Sequence, residues 1–198
     1  PRGAIDLGTA FITGGDLTLQ SRDNMNLGGA SITGSLNMNS TQGAVSFGQA
    51  TVTGNLIAEA TGQTVDLGSA VVGGNLAVQT SGGNIVQSTA PNSALHVSGT
   101  STLNAGTGDI RLPNVPNQFS QPVSLQANNV QLVGSQGLIM GDSTVMGSLS
   151  VTAVTGDVTQ TAPLNVTGTS TLTALLGDVM LDKANAFIQP VVVRAANA

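Results

Sequence analysis

The sequence predicts an all-β solenoid, in which coils of about 20 residues, each with three short strands, stack along one axis. The first observation is a repeat of about 20 residues, which begins in turn with the segments Gly3–Gly8, Asp23–Gly28, Gly43–Gly48 and Gln63–Gly68. The second is the spacing of the apolar residues, which lie two apart as in Leu36 and Met38. That spacing is typical of strands with one buried face, whereas the three- and four-residue spacing of helices is absent.

Each strand of the repeat supplies vertical columns of apolar residues. Stacking places like residues above like at the strand spacing of about 4.8 Å, so we expect the interior to consist of aliphatic ladders. The first strand gives the columns Ile5, Met25, Val45, Val65 and Leu7, Leu27, Phe47, Leu67. The second gives Ala10, Ala30, Ala50, Ala70 and Ile12, Ile32, Val52, Val72. The third gives the pairs Leu17 and Leu19, Leu36 and Met38, Leu56 and Ala58, and Leu76 and Val78.

Glycines follow the first and second strands, where we expect corners with positive φ that only glycine adopts easily. The first corner column is Gly8, Gly28, Gly48 and Gly68, and the second is Gly14, Gly34, Gly54 and Gly74. The extra Gly15 in the first coil shifts the third strand of that coil by one residue.

The chain is predicted to be a single β-helix segment over residues 1–198, with regular coils in 1–82 and looser coils in 83–198. In the looser part, Val97-Ser-Gly-Thr-Ser-Thr-Leu103 returns about 69 residues later as Val166-Thr-Gly-Thr-Ser-Thr-Leu172, which indicates a duplicated block of about three coils. We predict a longer loop around Gly134 to Asp142. Nine to ten coils at the strand spacing would form a rod of about 45 Å. The inward residues expected here are Ile85, Leu95, Val97, Leu103, Ile110, Leu112, Val123, Leu125, Val130, Leu132, Leu149 and Val151.

Composition disfavours several classes of protein. Charged residues are 8% of the chain, with 5 Lys plus Arg and a formal net charge of −5, so nucleic acid is not an expected partner. No apolar run is long enough to span a bilayer, which argues against membrane insertion. The absence of cysteine removes disulfides and thiolate metal sites. Because the pattern continues to Val191–Val193 without a polar cap, we interpret the chain as an excised segment of a longer protein.

The acidic residues do not form a recognisable catalytic pattern, so we expect no enzyme activity, no catalytic residues, no metal site and no cofactor. Asp109, Asp142, Asp157 and Asp178 each follow a glycine, where an aspartate is expected to cap its own backbone in a turn. The alternative is a carbohydrate-active enzyme, which needs several carboxylates on neighbouring coils. Asp6 and Asp66 share a column, but Asn26 and Ser46 stand between them.

Outward-facing residues give few further signals. His96 lies between Leu95 and Val97, so alternation turns it outward as an ordinary surface residue. Thr13, Thr33 and Thr53 form a short ladder broken by Gly73, too irregular to favour ice binding unless it continues in later coils. Tyr and Trp are absent, which disfavours a tight glycan site, although Asn, Gln and Thr ladders could give weak contacts that add along the rod. Phe11 is placed outward. The binding residues stay unknown at this stage.

The segments Val97–Ile110, Asn117–Leu125 and Val166–Ala174 resemble the repeats of filamentous haemagglutinin-like exoproteins. This family consists of large adhesins of Gram-negative bacteria that are exported by two-partner secretion. The resemblance implies a right-handed parallel β-helix, export through an outer-membrane transporter that recognises another region of the parent protein, and display at the cell surface.

From these observations we expect a structural and adhesive rod segment of a secreted virulence or biofilm adhesin, acting chiefly as a rigid spacer. Host-cell glycans or a biofilm exopolysaccharide are the expected partners. The stalk of a contact-dependent toxin would use the same rod. A β-helix carbohydrate-active enzyme or a polysaccharide-binding module is the alternative from another class.

Overall fold

A computed structural model describes residues 3–9, 11–12, 14–88 and 93–196 of the chain. Throughout these residues the protein is all-β, and parallel sheets form a β-solenoid of about nine turns with roughly 20 residues per turn and three strands per coil. The predicted fold class is therefore confirmed, while its right-handed sense stays a prediction. No helix in the described ranges is long and apolar enough to cross a membrane.

Three sheets run along the solenoid and are named here in the order in which a coil enters them. The first sheet contains β1 (Ile5–Asp6), β4 (Met25–Asn26), β7 (Val45–Ser46), β10 (Val65–Asp66), β13 (Ile85–Val86), β16 (Ile110–Leu112), β19 (Val130–Gly134), β21 (Leu149–Ala153), β24 (Ser170–Ala174) and β26 (Val191–Ala195). The second sheet contains β2 (Phe11–Ile12), β5 (Ser31–Ile32), β8 (Thr51–Val52), β11 (Val71–Val72), β14 (His96–Val97) and β17 (Gln118–Phe119). The third sheet contains β3 (Leu17–Ser21), β6 (Leu36–Ser40), β9 (Leu56–Ala60), β12 (Leu76–Thr80), β15 (Ser101–Asn104), β18 (Val123–Ala127), β20 (Leu138–Val145), β23 (Leu164–Val166) and β25 (Ala186–Phe187), and β22 (Val158–Gln160) pairs with β20.

The register of the sheets reproduces the predicted columns. In the first sheet Ile5 pairs with Met25, Met25 with Val45 and Val45 with Val65, so the predicted period is the length of one coil. The extra Gly15 is absorbed as predicted, since Ile12 pairs with Ile32 but Leu17 pairs with Leu36. Ala10 and Thr13, which the sequence analysis placed in a column and a ladder, lie outside the described residues.

The core is a stack of buried aliphatic side chains. Every inward residue predicted between Ile85 and Val151 is at most 5% exposed. In the first coil, by contrast, Ile5, Leu7, Ile12, Leu17 and Leu19 are only partly buried. The third strand of a coil directs three side chains inward where two were predicted, because Ser40 is as buried as Leu36 and Met38.

The two glycine columns have different causes. Gly48 has a φ of 55°, and the other members of its column are also left-handed, as predicted. Gly54 has no positive φ; instead, a Cβ there would lie 2.8 Å from the carbonyl carbon of Gly34 in the preceding coil. In this second column Gly14 has the predicted positive φ, of 106°, but the prediction is wrong for Gly34, Gly54 and Gly74, where close approach of stacked backbones selects glycine.

The predicted loop around Gly134 to Asp142 is also wrong. Residues 138–145 form the strand β20, whose Leu138 and Met140 are buried. The additional residues lie instead between Val86 and His96. Because Ile85 pairs with Ile110, this coil contains more residues than the regular coils before it. Residues 89–92 of that extension lie outside the described ranges. Its start and end are held by Asn114, whose side chain donates hydrogen bonds to the carbonyls of Ser88 (2.9 Å) and Ser93 (3.1 Å).

The duplicated block is rotated by one face of the solenoid. Val97 lies in β14 of the second sheet, whereas its copy Val166 lies in β23 of the third sheet. The segment Phe119-Ser-Gln-Pro-Val123 likewise returns as Phe187-Ile-Gln-Pro-Val191, and the two phenylalanines lie in β17 of the second sheet and β25 of the third. The second copy therefore lies three coils further along the axis and one sheet further around the coil. The same sequence of strand and corner fits more than one sheet of the solenoid.

The duplication also repeats a pair of amide side chains that join adjacent coils. Gln87 and Asn117 exchange two hydrogen bonds, of 2.7 and 2.8 Å, and the backbone N–H of Leu95 donates to Asn117 Oδ1 at 2.9 Å. Gln160 and Asn185 exchange two bonds of 2.9 Å, and the N–H of Leu164 donates to Asn185 Oδ1. Both members of the first pair are buried, whereas in the second pair Gln160 is buried and Asn185 is partly exposed.

Candidate functional site

The aspartates that follow a glycine do not cap their own turns. Asp109 Oδ1 accepts a hydrogen bond of 3.0 Å from the backbone N–H of Asn129, one coil further along. Asp157 Oδ1 accepts from the N–H of Asp178 in the same way, at 2.8 Å. Asp142 is exposed within the strand β20. Asp178 Oδ1 is buried and has no hydrogen-bond partner among the described residues. The turn prediction is therefore wrong for Asp109 and Asp157, because stacking brings the N–H of the next coil within reach of the carboxylate, and it is wrong for Asp142, which lies in a strand.

Aspartates do cap their own turns in the column of Asp6 and Asp66, which was considered above as a possible catalytic pair. Asp6 and Asp66 accept hydrogen bonds from the N–H groups of Gly8 (3.0 Å) and Gly68 (2.9 Å). Asn26 stands between them in the register and caps Gly28 similarly. Ser46 separates Asn26 from Asp66, so the carboxylates are three coils apart and serve the corners.

Asp109 is the carboxylate with the most partners among the described residues. Partial burial alone would raise its pKa, but hydrogen bonds from the side chain and backbone of Asn129 and from the side chain of Asn128, with the charge of Arg111, more than offset that effect. The pKa of Asp109 therefore lies below its usual value. Arg111 Nη2 is 3.8 Å from Asp109 Oδ2 and largely exposed, so the ion pair itself is weak.

The remaining outward-facing residues of interest are a histidine, a phenylalanine and a short row of threonines. His96 is half-buried in β14 between buried neighbours, and Phe11 is 77% exposed, so both directions are as predicted. Thr33 and Thr53 are exposed, but the stacked positions that follow are Gly73, Ser98 and Ser120. The threonine ladder does not continue, and ice binding loses its support.

Outward side chains of the third sheet form a channel, called here the polar channel, that follows the solenoid axis across five strands. One wall consists of Ile57, Ala77, Thr102, Ser124 and Asp142, and the other of Glu59, Gln79, Asn104, Gln126 and Thr144. Two overlapping concavities, of about 290 and 140 Å³, share Thr102 and Asn104 and make the channel continuous. The floor is the backbone at inward-facing residues such as Leu103 and Leu125.

A β-bulge shapes one end of the polar channel. The pairing of β18 with β20 runs from Val123 with Met140 to Leu125 with Ser143, so Ser124 faces both Gly141 and Asp142. Met140 and Gly141 are consecutive buried residues, and the extra residue turns Asp142 outward into the channel wall. Bulges commonly re-aim a side chain in this way.

Chemically, the polar channel offers hydrogen bonds and negative charge. Neither Gln79 nor Gln126 makes a side-chain hydrogen bond within the part of the chain that the structure describes, so both amides are available to a ligand. Glu59 and Asp142 stand four strands, or about 19 Å, apart. The carboxyl pair of a glycosidase is separated by about 5–10 Å, so these two groups do not form one. Within the described ranges, no group of three or more His, Asp or Glu side chains could hold a metal ion.

The sequence matches the family described as repeats of unknown function (DUF5649) over residues 14–70, 53–126 and 127–194. The chain belongs to this repeat family. The second and third matches each contain one copy of the duplicated block, with Val97 in one and Val166 in the other. No curated protein matches the chain. No solved structure matches it either.

Proposed function

We propose that these DUF5649 repeats form a structural and adhesive rod segment of a large secreted bacterial surface protein, acting chiefly as a rigid spacer. The observation that carries the proposal is the first sheet, in which ten strands from Ile5 to Ala195 pair in parallel, coil upon coil. Each coil is therefore hydrogen-bonded to the next, and bending the stack would require breaking several ladders together. Over nine steps of about 4.8 Å the rod holds its ends about 43 Å apart.

Surface composition supports the same proposal. The outward positions carry mainly Thr, Ser, Asn and Gln, and charged residues are 8% of the chain. Neighbouring rods of this composition meet without strong long-range electrostatic repulsion. The sequence resemblance to filamentous haemagglutinin-like exoproteins supports secretion through an outer-membrane transporter and display at the cell surface. A toxin-delivery stalk would use the rod in the same way.

A polysaccharide-binding module is a second candidate, and the polar channel is the observation that favours it. Within the polar channel a carbohydrate-active enzyme is less favoured, because Glu59 and Asp142 are too far apart to act on one glycosidic bond. Attachment through the channel and spacing by the rod are compatible, since the channel occupies one sheet and leaves the stacking of coils unchanged.

Deletion of the rod in the bacterium that encodes it tests the proposal. Antibodies against this chain should label intact cells, and an in-frame deletion of residues 25–190 should lower attachment to host cells or to a biofilm while the rest of the protein is still exported. Labelling that appears only after lysis would contradict the proposal. Unchanged attachment by the exported deletion variant would contradict it equally.

A further inference from the structure

The polar channel has the properties of a ligand site whose ligand must be recognised by side chains. Parallel partners lie on both sides of β12, β15 and β18, so the backbone N–H and C=O groups of the channel floor are used within the sheet. A peptide strand could therefore not extend the sheet here, because that mode of recognition needs a free edge. What remains free are the wall side chains: hydroxyl and amide groups predominate in both rows from β15 to β20, whereas Ile57 and Ala77 make the other end of one wall apolar.

The free groups are suited to hydroxyl groups of a ligand. Gln79, Thr102, Ser124, Gln126 and Thr144 are outward in the channel walls, and none of their side chains has a hydrogen-bond partner among the described residues. Each amide and each hydroxyl can both donate and accept, which matches a polyhydroxyl ligand whose groups do the same. Asn104 is partly occupied, since its Oδ1 accepts from the N–H of Gly106 at 2.9 Å.

Charge narrows the ligand class. The ionisable residues that line the two concavities are Glu59 and Asp142, and none of the described residues in the lining is a lysine or an arginine. A sulfated or uronic-acid polymer would meet these carboxylates without any compensating cation, which disfavours it. A neutral ligand meets no such penalty.

The shape of the polar channel restricts the class of ligand further. The walls are two residues apart along each strand, or about 7 Å between Cα atoms, and they repeat at intervals of about 4.8 Å along the axis. The channel is thus narrow across the strands and long along the rod, which fits a single extended chain rather than a branched or globular ligand. We propose that the polar channel binds a neutral, unbranched polysaccharide that lies along the rod axis. This assignment rests on the proposed adhesive function and names its ligand class.

Binding by such a channel is weak for each sugar and adds along the chain. A neutral hydrogen bond that is exchanged for one with water contributes little by itself, so affinity depends on several rungs acting together. Longer oligosaccharides should therefore bind more tightly until the five-strand channel is filled, and then gain no more.

Nuclear magnetic resonance titration of the purified chain tests the assignment. The probes are neutral hexasaccharides of β1,4-linked glucose and of β1,4-linked mannose at millimolar concentration, with a heparin hexasaccharide as the anionic comparison. A neutral probe should shift the side-chain amide resonances of Gln79 and Gln126, and heparin should not. Gln126→Ala should weaken binding by about three- to tenfold, which corresponds to the loss of one neutral hydrogen-bonding group. Gln131→Ala, an exposed glutamine of the neighbouring coil in the first sheet, is the matched control and should change affinity by less than about twofold.

Three results would overturn the assignment. The first is the absence of any shift at Gln79 and Gln126 with both neutral probes. The second is a stronger effect of heparin than of the neutral probes on the same resonances. The third is equal weakening by Gln131→Ala and Gln126→Ala. None of these results bears on surface labelling or on attachment by the deletion variant, so failure of the glycan assignment is distinguishable from failure of the rod.

Discussion

The buried amide pair gives a sharp test of how adjacent coils are joined. Asn117 is fully buried and accepts or donates the bonds that satisfy the amide of Gln87 and the backbone N–H of Leu95. In Asn117→Ala these groups stay buried without partners. A buried polar group left unsatisfied costs about 1–3 kcal/mol, so we expect the free energy of unfolding to fall by about 3–5 kcal/mol.

The duplicated block supplies a matched comparison. Asn185 makes the same three bonds to Gln160 and Leu164, but it is partly exposed, so water can replace the lost partner. We expect Asn185→Ala to cost only about 1–2 kcal/mol. Two differences favour the milder loss in Asn185→Ala: Asn185 is more exposed than Asn117, and Gln160 keeps a second hydrogen bond, which it donates to the carbonyl of Ala162.

Urea unfolding followed by circular dichroism measures both variants, and hydrogen exchange at the N–H of Leu95 reports the local loss directly. A double variant, Gln87→Leu with Asn117→Leu, removes both amides and should cost less than Asn117→Ala alone. The reasoning is refuted if Asn117→Ala costs under about 1 kcal/mol, or if the double variant is the less stable of the two.

Further predictions concern the core, the corners and acid stability. Ser101→Ala should stabilise the protein by about 1 kcal/mol, because this buried hydroxyl has no hydrogen-bond partner among the described residues. Ser40→Ala loses hydrogen bonds to two backbone groups and should destabilise the protein by about 1–2 kcal/mol. Thermal unfolding that shifts both variants in the same direction would contradict this prediction. Gly48→Ala should cost about 3 kcal/mol or more, because its Cβ would overlap the Gly28 carbonyl, and Gly62→Ala, left-handed but in open space, about 1 kcal/mol; equal costs in urea unfolding would exclude the close-approach explanation. Because the pKa of Asp109 is lowered in the folded state, its contribution to stability is complete above the usual pKa of 3.8 and is lost as the pH falls through the lower folded value. Asp109→Asn should therefore reduce the loss of stability in acid. An unchanged pH profile of the free energy of unfolding would contradict this prediction.

The fold could be predicted from the sequence because its main determinants are local and periodic. Residues such as Met25 and Leu27 alternate with polar neighbours and recur at one spacing, which fixes strand, buried face and stack together. Ser40 was missed as an inward residue because serine is typical of the surface. Its hydroxyl in fact donates a hydrogen bond to the carbonyl of Asp23 in the preceding coil. The segment 138–145 was misread because glycine and serine favour loops, while the burial of Leu138 and Met140 depends on the neighbouring coils.

The polar channel could not be derived from a fixed period. Its second wall joins Gln79, Asn104, Gln126 and Thr144, and the spacing along the chain becomes shorter at each step of this series. The first spacing contains the residues added after Val86, and the bulge in β20 adds one residue to the last; the sequence located neither of these features. The sequence of residues 138–145 nevertheless contained a signal for the bulge. Met140 and Ser143 are both inward although they are three residues apart, so strict alternation requires one extra residue, at Gly141.

Distance measurements between spin labels test the stacked rod most directly. The chain has no cysteine, so pairs of labels can be introduced cleanly at exposed positions of one row of the third sheet. Gln20 and Gln126 are five strands apart in the register, and Gln20 and Asn165 are seven strands apart. At the strand spacing, we expect narrow distance distributions at about 24 Å for the first pair and about 34 Å for the second. Broad distributions, or a distance that does not rise by about 4.8 Å per coil, would contradict a stiff stack of coils.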